Sequence, residues 1–270
     1  MTRVAVVEFP GTNCMHETAA ALRAAGAVAE IVRWNAPAAA GAGFAAYVVA
    51  GGFAYEDRVR AGVIAAKHEI LATIAAAAAA GKPVLGVCNG AQVLVESGLV
   101  PALESGRVEV ALAPNAVRGW SGYYCGWVHL RPARHRGFLA GLPPETLPLP
   151  VGHGEGRFTG KMELFQRLQR DGQIPLRYVT AAGGEASDFP LNPNGSLLGA
   201  AALSNAAGNV VALMPHPERA AWLYQVPETL PGAWGERRRQ ASGQELLGPG
   251  PGLAVYIQLV RAAAVWSEAS

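Results

Sequence analysis

Cys88 has neighbours that could make its sulfur a nucleophile. Residues 82–87 (Lys-Pro-Val-Leu-Gly-Val) have the pattern of a short buried strand, and a second apolar segment begins at Val93. If a strand gives way to a helix between them, Cys88 lies on a sharp turn at a helix N-terminus, where the helix dipole favours a thiolate. Gly86 and Gly90 would allow the turn to tighten. The pattern therefore predicts a cysteine version of the nucleophile elbow.

Two other interpretations of this segment stay open on local sequence alone. A single cysteine after an apolar strand is commonly a small buried hydrophobic residue. The Asn89-Gly90 pair between two apolar runs is also a hairpin signal, which would make residues 84–95 two antiparallel strands. The apolar spacing of three and four residues after Gly90 favours a helix, but it does not decide between the two structures.

A histidine and a glutamate follow a second predicted strand, residues 209–213. The next segment is Met-Pro-His-Pro-Glu-Arg, residues 214–219, and its prolines keep the chain extended. In an extended chain, side chains two residues apart project to the same side, which brings His216 and Glu218 together. A carboxylate that orients an imidazole forms the base half of a nucleophilic triad. The alternative is a solvated loop after a strand.

The elements that must position these residues alternate between strand and helix in the first hundred residues. Strands are predicted at Val4–Phe9, Val28–Trp34, Tyr47–Ala50 and 83–87, and helices at Thr18–Ala25 and Val63–Ala80. This alternation predicts an α/β fold, a mostly parallel open sheet with helices on both faces. Functional sites in such folds lie at the carboxyl ends of the strands, where Gly51-Gly52, Cys88 and His216 would all fall.

The rest of the chain is predicted to extend this domain. Short strands at Val108–Leu112, Gly126–Arg131, Leu176–Thr180 and Leu197–Leu203, with a helix at Lys161–Gln169, indicate a small antiparallel extension. The Pro- and Gly-rich residues 224–252 are interpreted as a surface insertion, and a closing helix is predicted at Leu253–Val265. We expect a single domain over residues 1–270.

The segment Gly86–Gln92 resembles the G-x-C-x-G-x-Q nucleophile motif of class I glutamine amidotransferases, and His216 and Glu218 match that family's histidine and glutamate. Other stretches, in the same order, resemble one branch of the family, the glutaminase subunits of phosphoribosylformylglycinamidine synthases. They are Phe9–Cys14, Gly51–Tyr55, Arg60–Gly62, His153–Phe158, Asn192–Ser196 and Met214–Arg219. Ala91 and Glu56 depart from the pattern of that branch.

The resemblance implies a glutaminase with an amidotransferase fold. Cys88 would attack the side-chain carboxamide of glutamine, and His216, held by Glu218, would protonate the departing ammonia and then activate water. Backbone amides at Gly52, Phe53 and Asn89 lie on strand-end loops suited to stabilising the oxyanion of the intermediate.

Three further side chains are binding candidates. The resemblance places Gln92 in substrate binding, although its amide could instead cap local backbone groups. His153 and Glu155 would line the glutamine site or contact a partner, or else stand in a tight glycine turn with exposed side chains.

The same resemblance implies a partner for the ammonia. It would pass to a separate synthetase subunit that binds ATP and converts formylglycinamide ribonucleotide to formylglycinamidine ribonucleotide in purine biosynthesis, often with a small third subunit. This chain has no G-x-x-x-x-G-K-[ST] loop and no evident metal cluster, so we expect no cofactor here and ATP and Mg in the partner.

Two rival functions remain at this point. One is a different enzyme on the same scaffold, either a glutaminase for another synthase or a γ-glutamyl hydrolase. The other is a non-catalytic scaffold or regulatory subunit.

Composition places few limits on these functions. The net charge of +2 gives no indication of nucleic acid or of an acidic membrane as a partner. Three widely spaced cysteines fit a reducing compartment without a disulfide framework, and no signal peptide is recognisable. We therefore expect a cytoplasmic protein.

Overall fold

The computed structural model describes residues 1–37, 43–104, 106–117, 119–133 and 135–269. The strands in chain order are β1 Arg3–Glu8, β2 Val28–Arg33, β3 Ala46–Val49, β4 Val84–Val87, β5 Ala111–Ala113, β6 Ala116–Val117, β7 Trp120–Ser121, β8 Tyr124–Pro132, β9 Leu147–His153, β10 Arg157–Thr159, β11 Leu176–Val179, β12 Ala200–Ser204 and β13 Val210–Leu213. The α-helices are α1 Met15–Ala24, α2 Ile70–Ala79, α3 Asn89–Glu96, α4 Met162–Arg170, α5 Ala233–Gln240 and α6 Leu253–Ala269.

A nine-stranded sheet with the order β2-β1-β3-β4-β13-β12-β11-β8-β9 forms the centre of the fold. The first five strands are parallel to their neighbours, and the pairings from β13 to β9 are antiparallel. Two small sheets, β5 with β10 and β6 with β7, lie outside it. The predicted α/β fold, a parallel sheet with an antiparallel extension, is confirmed, and the antiparallel part, four of the eight pairings of this sheet, is larger than the sequence indicated.

The parallel strands are continuous apolar runs because both of their faces are covered. Every residue of β3, β4 and β13 is buried, as are the four central residues of β1. Such runs are typical of parallel strands that carry helices on the sheet faces. The centre of the sheet is therefore fully packed up to the strand ends, where the candidate residues follow.

The long helix predicted over Val63–Ala80 is wrong. Residues Ala65–Lys67 form a short 3₁₀ turn, His68 is extended with ψ of 150°, and α2 begins at Ile70. The His68 ring packs against Trp34 with a centroid separation of 4.4 Å, and its Nε2 lies 2.6 Å from the Tyr55 hydroxyl oxygen. These contacts override the helix propensity of the segment.

Strand β9 was missed by the sequence analysis for a clear reason. Its residues include Pro148 and Pro150, and proline is unusual inside a sheet because it cannot donate to the ladder. β9 is the edge strand beside β8, where unpaired positions are tolerated. Leu197–Leu203 was also predicted as one strand, but Leu197–Gly199 is a 3₁₀ turn and the strand runs from Ala200 to Ser204.

Residues 224–252 contain α5 and a 3₁₀ turn, Gly243–Leu247. Leu223, Val226 and Leu230 form a small apolar cluster of their own, whereas the main core cluster includes residues from β1 through α6. A single domain with a surface insertion stays a prediction. Among the described residues, no helix combines the length and the apolar character needed to cross a membrane.

The sheet order brings the candidate residues together. β3, β4 and β13 are parallel neighbours, so their carboxyl ends meet at one edge. Gly51-Gly52 follows β3, Cys88 follows β4, and His216 comes three residues after β13 ends. The three segments therefore meet where a parallel sheet places its functional sites.

We expect Gly90→Ala to destabilise the protein by about 3 kcal/mol or more, at the upper end for overpacking. A Cβ at Gly90 would lie 1.9 Å from the Val49 carbonyl oxygen, so α3 would have to move away from β3. Gly26→Ala is the control, because a Cβ there meets nothing within 4 Å. Its only cost is the strain of an alanine at positive φ, about 1 kcal/mol. The measurement is urea unfolding of both variants, and equal losses would contradict the packing argument.

Candidate active site

The backbone of Cys88 adopts a rare conformation, with φ of 50° and ψ of −106°. Its amide donates to the Leu213 carbonyl oxygen at 2.8 Å, and α3 begins at the next residue. The predicted strand–turn–helix elbow is therefore present, and the hairpin alternative is wrong. A non-glycine residue in such a conformation is strained and persists only where its surroundings hold it in place.

Two glycines make the elbow possible. A Cβ at Gly86 would lie 2.5 Å from the Gly90 carbonyl oxygen, and a Cβ at Gly90 would meet the Val49 carbonyl. Helix α3 therefore approaches both β3 and β4 at distances that no side chain permits. This close approach fixes the position of the Cys88 sulfur at the end of β4.

Cys88 opens into a small cavity of about 160 Å³. Its sulfur lies 3.7 Å from the Gly152 carbonyl oxygen. The lining residues come from the loop after β3, the elbow, the β7–β8 turn and the end of β9: Gly52, Phe53, Asp57, Cys88, Gln92, Tyr123, Gly152, His153, Gly154 and Glu155. The cavity is thus shared by four separate parts of the chain.

His216 and Glu218 form a buried pair, as predicted. The distance from His216 Nδ1 to Glu218 Oε1 is 2.5 Å, and the side chains are 3% and 0% exposed. The Tyr256 hydroxyl donates to the second carboxylate oxygen at 3.4 Å. The loop alternative, in which both side chains would be solvated, is therefore wrong.

The pair is electrostatically coupled. Burial alone would lower the pKa of His216, but the Glu218 carboxylate and the Cys88 sulfur raise it well above its ordinary value. Burial alone would raise the pKa of Glu218, but the charge and hydrogen bond of His216 lower it. The arrangement favours an imidazolium beside a carboxylate.

The His216 ring lies beside the end of β4 that carries Cys88, because a Cβ at Gly51 would meet both His216 Cε1, at 2.9 Å, and the Val87 carbonyl oxygen, at 3.4 Å. His216 Nδ1 is engaged by Glu218, whereas its Nε2 is buried and has no hydrogen-bond partner among the described residues. Nε2 is therefore the nitrogen left to exchange a proton.

A second cysteine, Cys14, also lies near the imidazole, 4.0 Å from Nδ1. That nitrogen already contacts Glu218, and Cys14 does not line the cavity. Arg219 donates to the Cys14 sulfur at 3.1 Å. Cys14 thus lies on the side of the ring away from the free nitrogen.

Cys14, His216 and Glu218 also place possible metal-ligand atoms within 4.8 Å of one another. His216 and Glu218 are already bonded to each other, and the Arg219 guanidinium would repel a cation at this position. The prediction that this chain holds no metal stays a prediction.

The predicted oxyanion donors need one correction. The Phe53 amide donates to the Gly11 carbonyl oxygen at 2.9 Å, so in this conformation it is not available to an oxyanion. Asn89 is the first residue of α3, and its amide has no acceptor within the helix. Gly52 lines the cavity next to Cys88 and stays a candidate.

Gln92 lies on the first turn of α3 with its amide already engaged. Its Nε2 donates to the Glu155 carbonyl oxygen at 2.7 Å, and Asn89 Nδ2 donates to its Oε1 at 2.8 Å. The side chain therefore ties the elbow to the 153–156 segment while it lines the cavity. Its role in substrate binding stays a prediction.

His153 is buried in the cavity wall, 3% exposed, and neither ring nitrogen has a partner among the described residues. Burial and, secondarily, the positive charge of His216 lower its pKa to about 3. His153 is therefore a neutral imidazole at physiological pH. Glu155 lines the same cavity, which agrees with the predicted alternative that it lines the glutamine site.

Asp57 is a cavity residue that the sequence analysis missed. It lies at the end of a 3₁₀ turn, Ala54–Asp57, with φ of 52°, and its Oδ1 accepts from Asn89 Nδ2 at 3.1 Å. Burial and, secondarily, the charge of Glu155 raise its pKa to about 6. The sequence offered a weak signal, an acidic pair shortly after Gly51-Gly52.

The CobB/CobQ-like glutamine amidotransferase domain model matches residues 1–246. The phosphoribosylformylglycinamidine synthase subunit PurQ of Methanothrix thermoacetophila is 45% identical over 239 residues, 85% of this chain and 90% of that protein. PurQ of Thermomicrobium roseum is 41% identical over 81% of this chain and 87% of that protein.

A solved structure agrees with these relatives. The structure of PurLQS from Thermotoga maritima contains a chain that superposes with a TM-score of 0.70 and 28% identity, covering 96% of this chain and 98% of that one. The chain described here belongs to the glutamine amidotransferase family of PurQ subunits of phosphoribosylformylglycinamidine synthase.

Proposed function

We propose that this chain hydrolyses glutamine to glutamate and ammonia and supplies the ammonia to the synthetase subunit of phosphoribosylformylglycinamidine synthase. The observation that carries the proposal is the strained Cys88 in a small cavity, with the ring of the buried His216–Glu218 pair at the end of the same strand. The family supports the assignment, because its members are named as subunits of that synthase.

The first half of the reaction forms a thioester. The Cys88 thiolate attacks the carboxamide carbon of glutamine, and the carbonyl oxygen becomes an oxyanion. Collapse of this intermediate breaks the carbon–nitrogen bond, and the proton on His216 Nε2 goes to the departing ammonia. The raised pKa of His216 supports this step, because the ring holds that proton when the thiolate forms.

The second half releases glutamate. The now neutral Nε2 takes a proton from a water molecule, whose oxygen attacks the thioester carbon and restores the Cys88 thiolate. Glu218 holds Nδ1 throughout and fixes the tautomer. The Asn89 and Gly52 amides are the proposed oxyanion donors, and loss of one such donor typically costs on the order of a hundredfold in rate.

The ammonia has to be used by the partner. The synthetase subunit would bind ATP and Mg and convert formylglycinamide ribonucleotide to the amidine, so this chain would need no cofactor. A third, small subunit is proposed because the similar chain of known structure belongs to a structure named PurLQS. We also propose that the protein is cytoplasmic, which suits its three free cysteines.

Glutamine hydrolysis should rise when the synthetase subunit and formylglycinamide ribonucleotide with ATP are added to the purified chain. Cys88→Ala should abolish hydrolysis in the same mixture, while amidine formation from added ammonium salt continues, because that step belongs to the partner. The measurement is glutamate release alongside amidine formation. An ammonia release rate that is the same with and without the ribonucleotide, or an active Cys88→Ala protein, would contradict the proposal.

Glu218→Gln should lower kcat by about 10² to 10⁴, because a neutral amide cannot stabilise the imidazolium and permits the wrong tautomer. Glu96→Gln is the matched control: Glu96 is also buried, 5% exposed, but it pairs with Arg60 outside the cavity lining. The control should lose stability and keep its kcat. If Glu218→Gln is as active as the control, the carboxylate has no part in the chemistry.

A further inference from the structure

The cavity at Cys88 contains two carboxylates that the glutaminase mechanism does not use. Asp57 and Glu155 both line it, and they are close enough for the Glu155 charge to raise the Asp57 pKa. The described lining includes no lysine or arginine. The Ala61 amide donates to Glu155 Oε2 at 3.3 Å, but no cationic side chain of the described lining offsets the negative charge at this end of the cavity.

The arginines nearest to Asp57 in the chain do not neutralise it. Arg58 pairs with Glu56 at 2.8 Å on the exposed side of the turn, and Arg60 pairs with Glu96. Each of these guanidinium groups is thus bound to a carboxylate other than Asp57. A cation from outside the chain could compensate the charge.

The backbone holds Asp57 in this position at a cost. Tyr55, Glu56 and Asp57 all have positive φ, between 52° and 59°. In addition, burial opposes the Asp57 charge and raises its pKa to about 6. Strain and an unfavourable charge at one place are expected where a ligand, and not folding stability, requires the group.

A second observation also indicates a polar ligand. His153 lines the same cavity, is almost fully buried, and has two ring nitrogens without a partner. Unsatisfied polar groups in a buried wall are costly unless something binds to them. A neutral imidazole offers one donor and one acceptor to a ligand that already carries charge.

The elbow links the carboxylate to the nucleophile. Asn89 directly follows Cys88, and its side-chain amide donates to Asp57. One residue and one hydrogen bond therefore separate the reactive sulfur from the acidic end of the cavity. Glutamine carries its carboxamide carbon and its α-nitrogen four bonds apart, and Cys88 and the two carboxylates line one cavity of about 160 Å³.

We propose that Asp57 and Glu155 bind the α-ammonium group of glutamine, so that the site selects a free amino acid over an amide without that charge. His153 accepts a hydrogen bond from the same end of the substrate. This inference rests on the proposed glutaminase function and adds to it the residues that determine specificity.

The test compares glutamine with glutaramate, the same amide without the α-amino group, in the complex with the synthetase subunit. Asp57→Asn and Glu155→Gln should each raise the KM for glutamine about 10- to 100-fold, because a charged hydrogen bond is lost, and change kcat by only a few-fold. Their kcat/KM for glutaramate should stay near the wild-type value. The preference for glutamine over glutaramate should therefore fall about as much as KM rises.

Glu56→Gln is the matched control, since it removes a carboxylate from the same turn that is exposed and paired with Arg58. It should keep the wild-type preference. The unfolding midpoint of Asp57→Asn at pH 7 should equal or exceed that of the wild type. The reason is that a carboxyl whose pKa is raised by folding costs stability progressively as the pH rises from its unfolded pKa of 3.8 to its folded pKa of about 6, so the full cost is present at pH 7.

Unchanged preference for glutamine in both variants would overturn the inference, even if hydrolysis still depends on Cys88. Hydrolysis that persists in Cys88→Ala would instead overturn the proposed function. Calorimetric binding of glutamine and glutaramate to the Cys88→Ala complex separates recognition from chemistry. Equal affinity for the two ligands would also overturn the inference.

Discussion

The close approach of α3 to the sheet is the constraint on which the rest of the site depends. Gly86 and Gly90 allow backbone atoms of the helix and of two strands to come nearer than any side chain would permit. The chain can then reverse at one residue, and that residue, Cys88, takes a positive φ. The sulfur stays at the strand end because close packing around the turn leaves the Cys88 backbone no alternative conformation.

A fixed sulfur acts as a nucleophile only beside a base. The parallel sheet places His216 in that position. β4 lies between β3 and β13, so the loops that follow these three strands share one edge. The buried Glu218 carboxylate is tolerated because the imidazole and Tyr256 contact its two oxygens. The pair leaves one ring nitrogen unengaged, and the raised pKa of His216 keeps a proton there until the leaving group needs it.

The features that follow from local residue patterns could be predicted from the sequence. Continuous apolar strands followed by a glycine-flanked cysteine indicated the elbow, and two prolines indicated that His216 and Glu218 would project together. The resemblance then chose among alternatives that local sequence could not separate. The family motifs offered the glutamine site as one of several alternatives for His153 and Glu155, and both line the cavity together with Gln92.

The predictions that were wrong, and the site residue that was missed, concern positions fixed by tertiary contacts or by unusual backbone angles. The Phe53 amide was assigned to the oxyanion, but the Gly11 carbonyl, more than forty residues earlier, takes that hydrogen bond. The helix over Val63–Ala80 breaks at His68 because Trp34 and Tyr55 hold that ring. Asp57 has no motif at all, since its position results from a turn with left-handed backbone angles that local propensity does not predict.

Peptide mapping after reaction with a diazo-ketone analogue of glutamine tests most directly whether the elbow creates the nucleophile. Cys14 is the informative rival, because it is buried and also close to His216, and exposed Cys125 reports non-specific alkylation. We expect the added mass to lie on the Cys88 peptide, excess glutamine to prevent the modification, and Cys14 and Cys125 to stay unmodified. Modification of Cys14 with Cys88 intact would contradict the account.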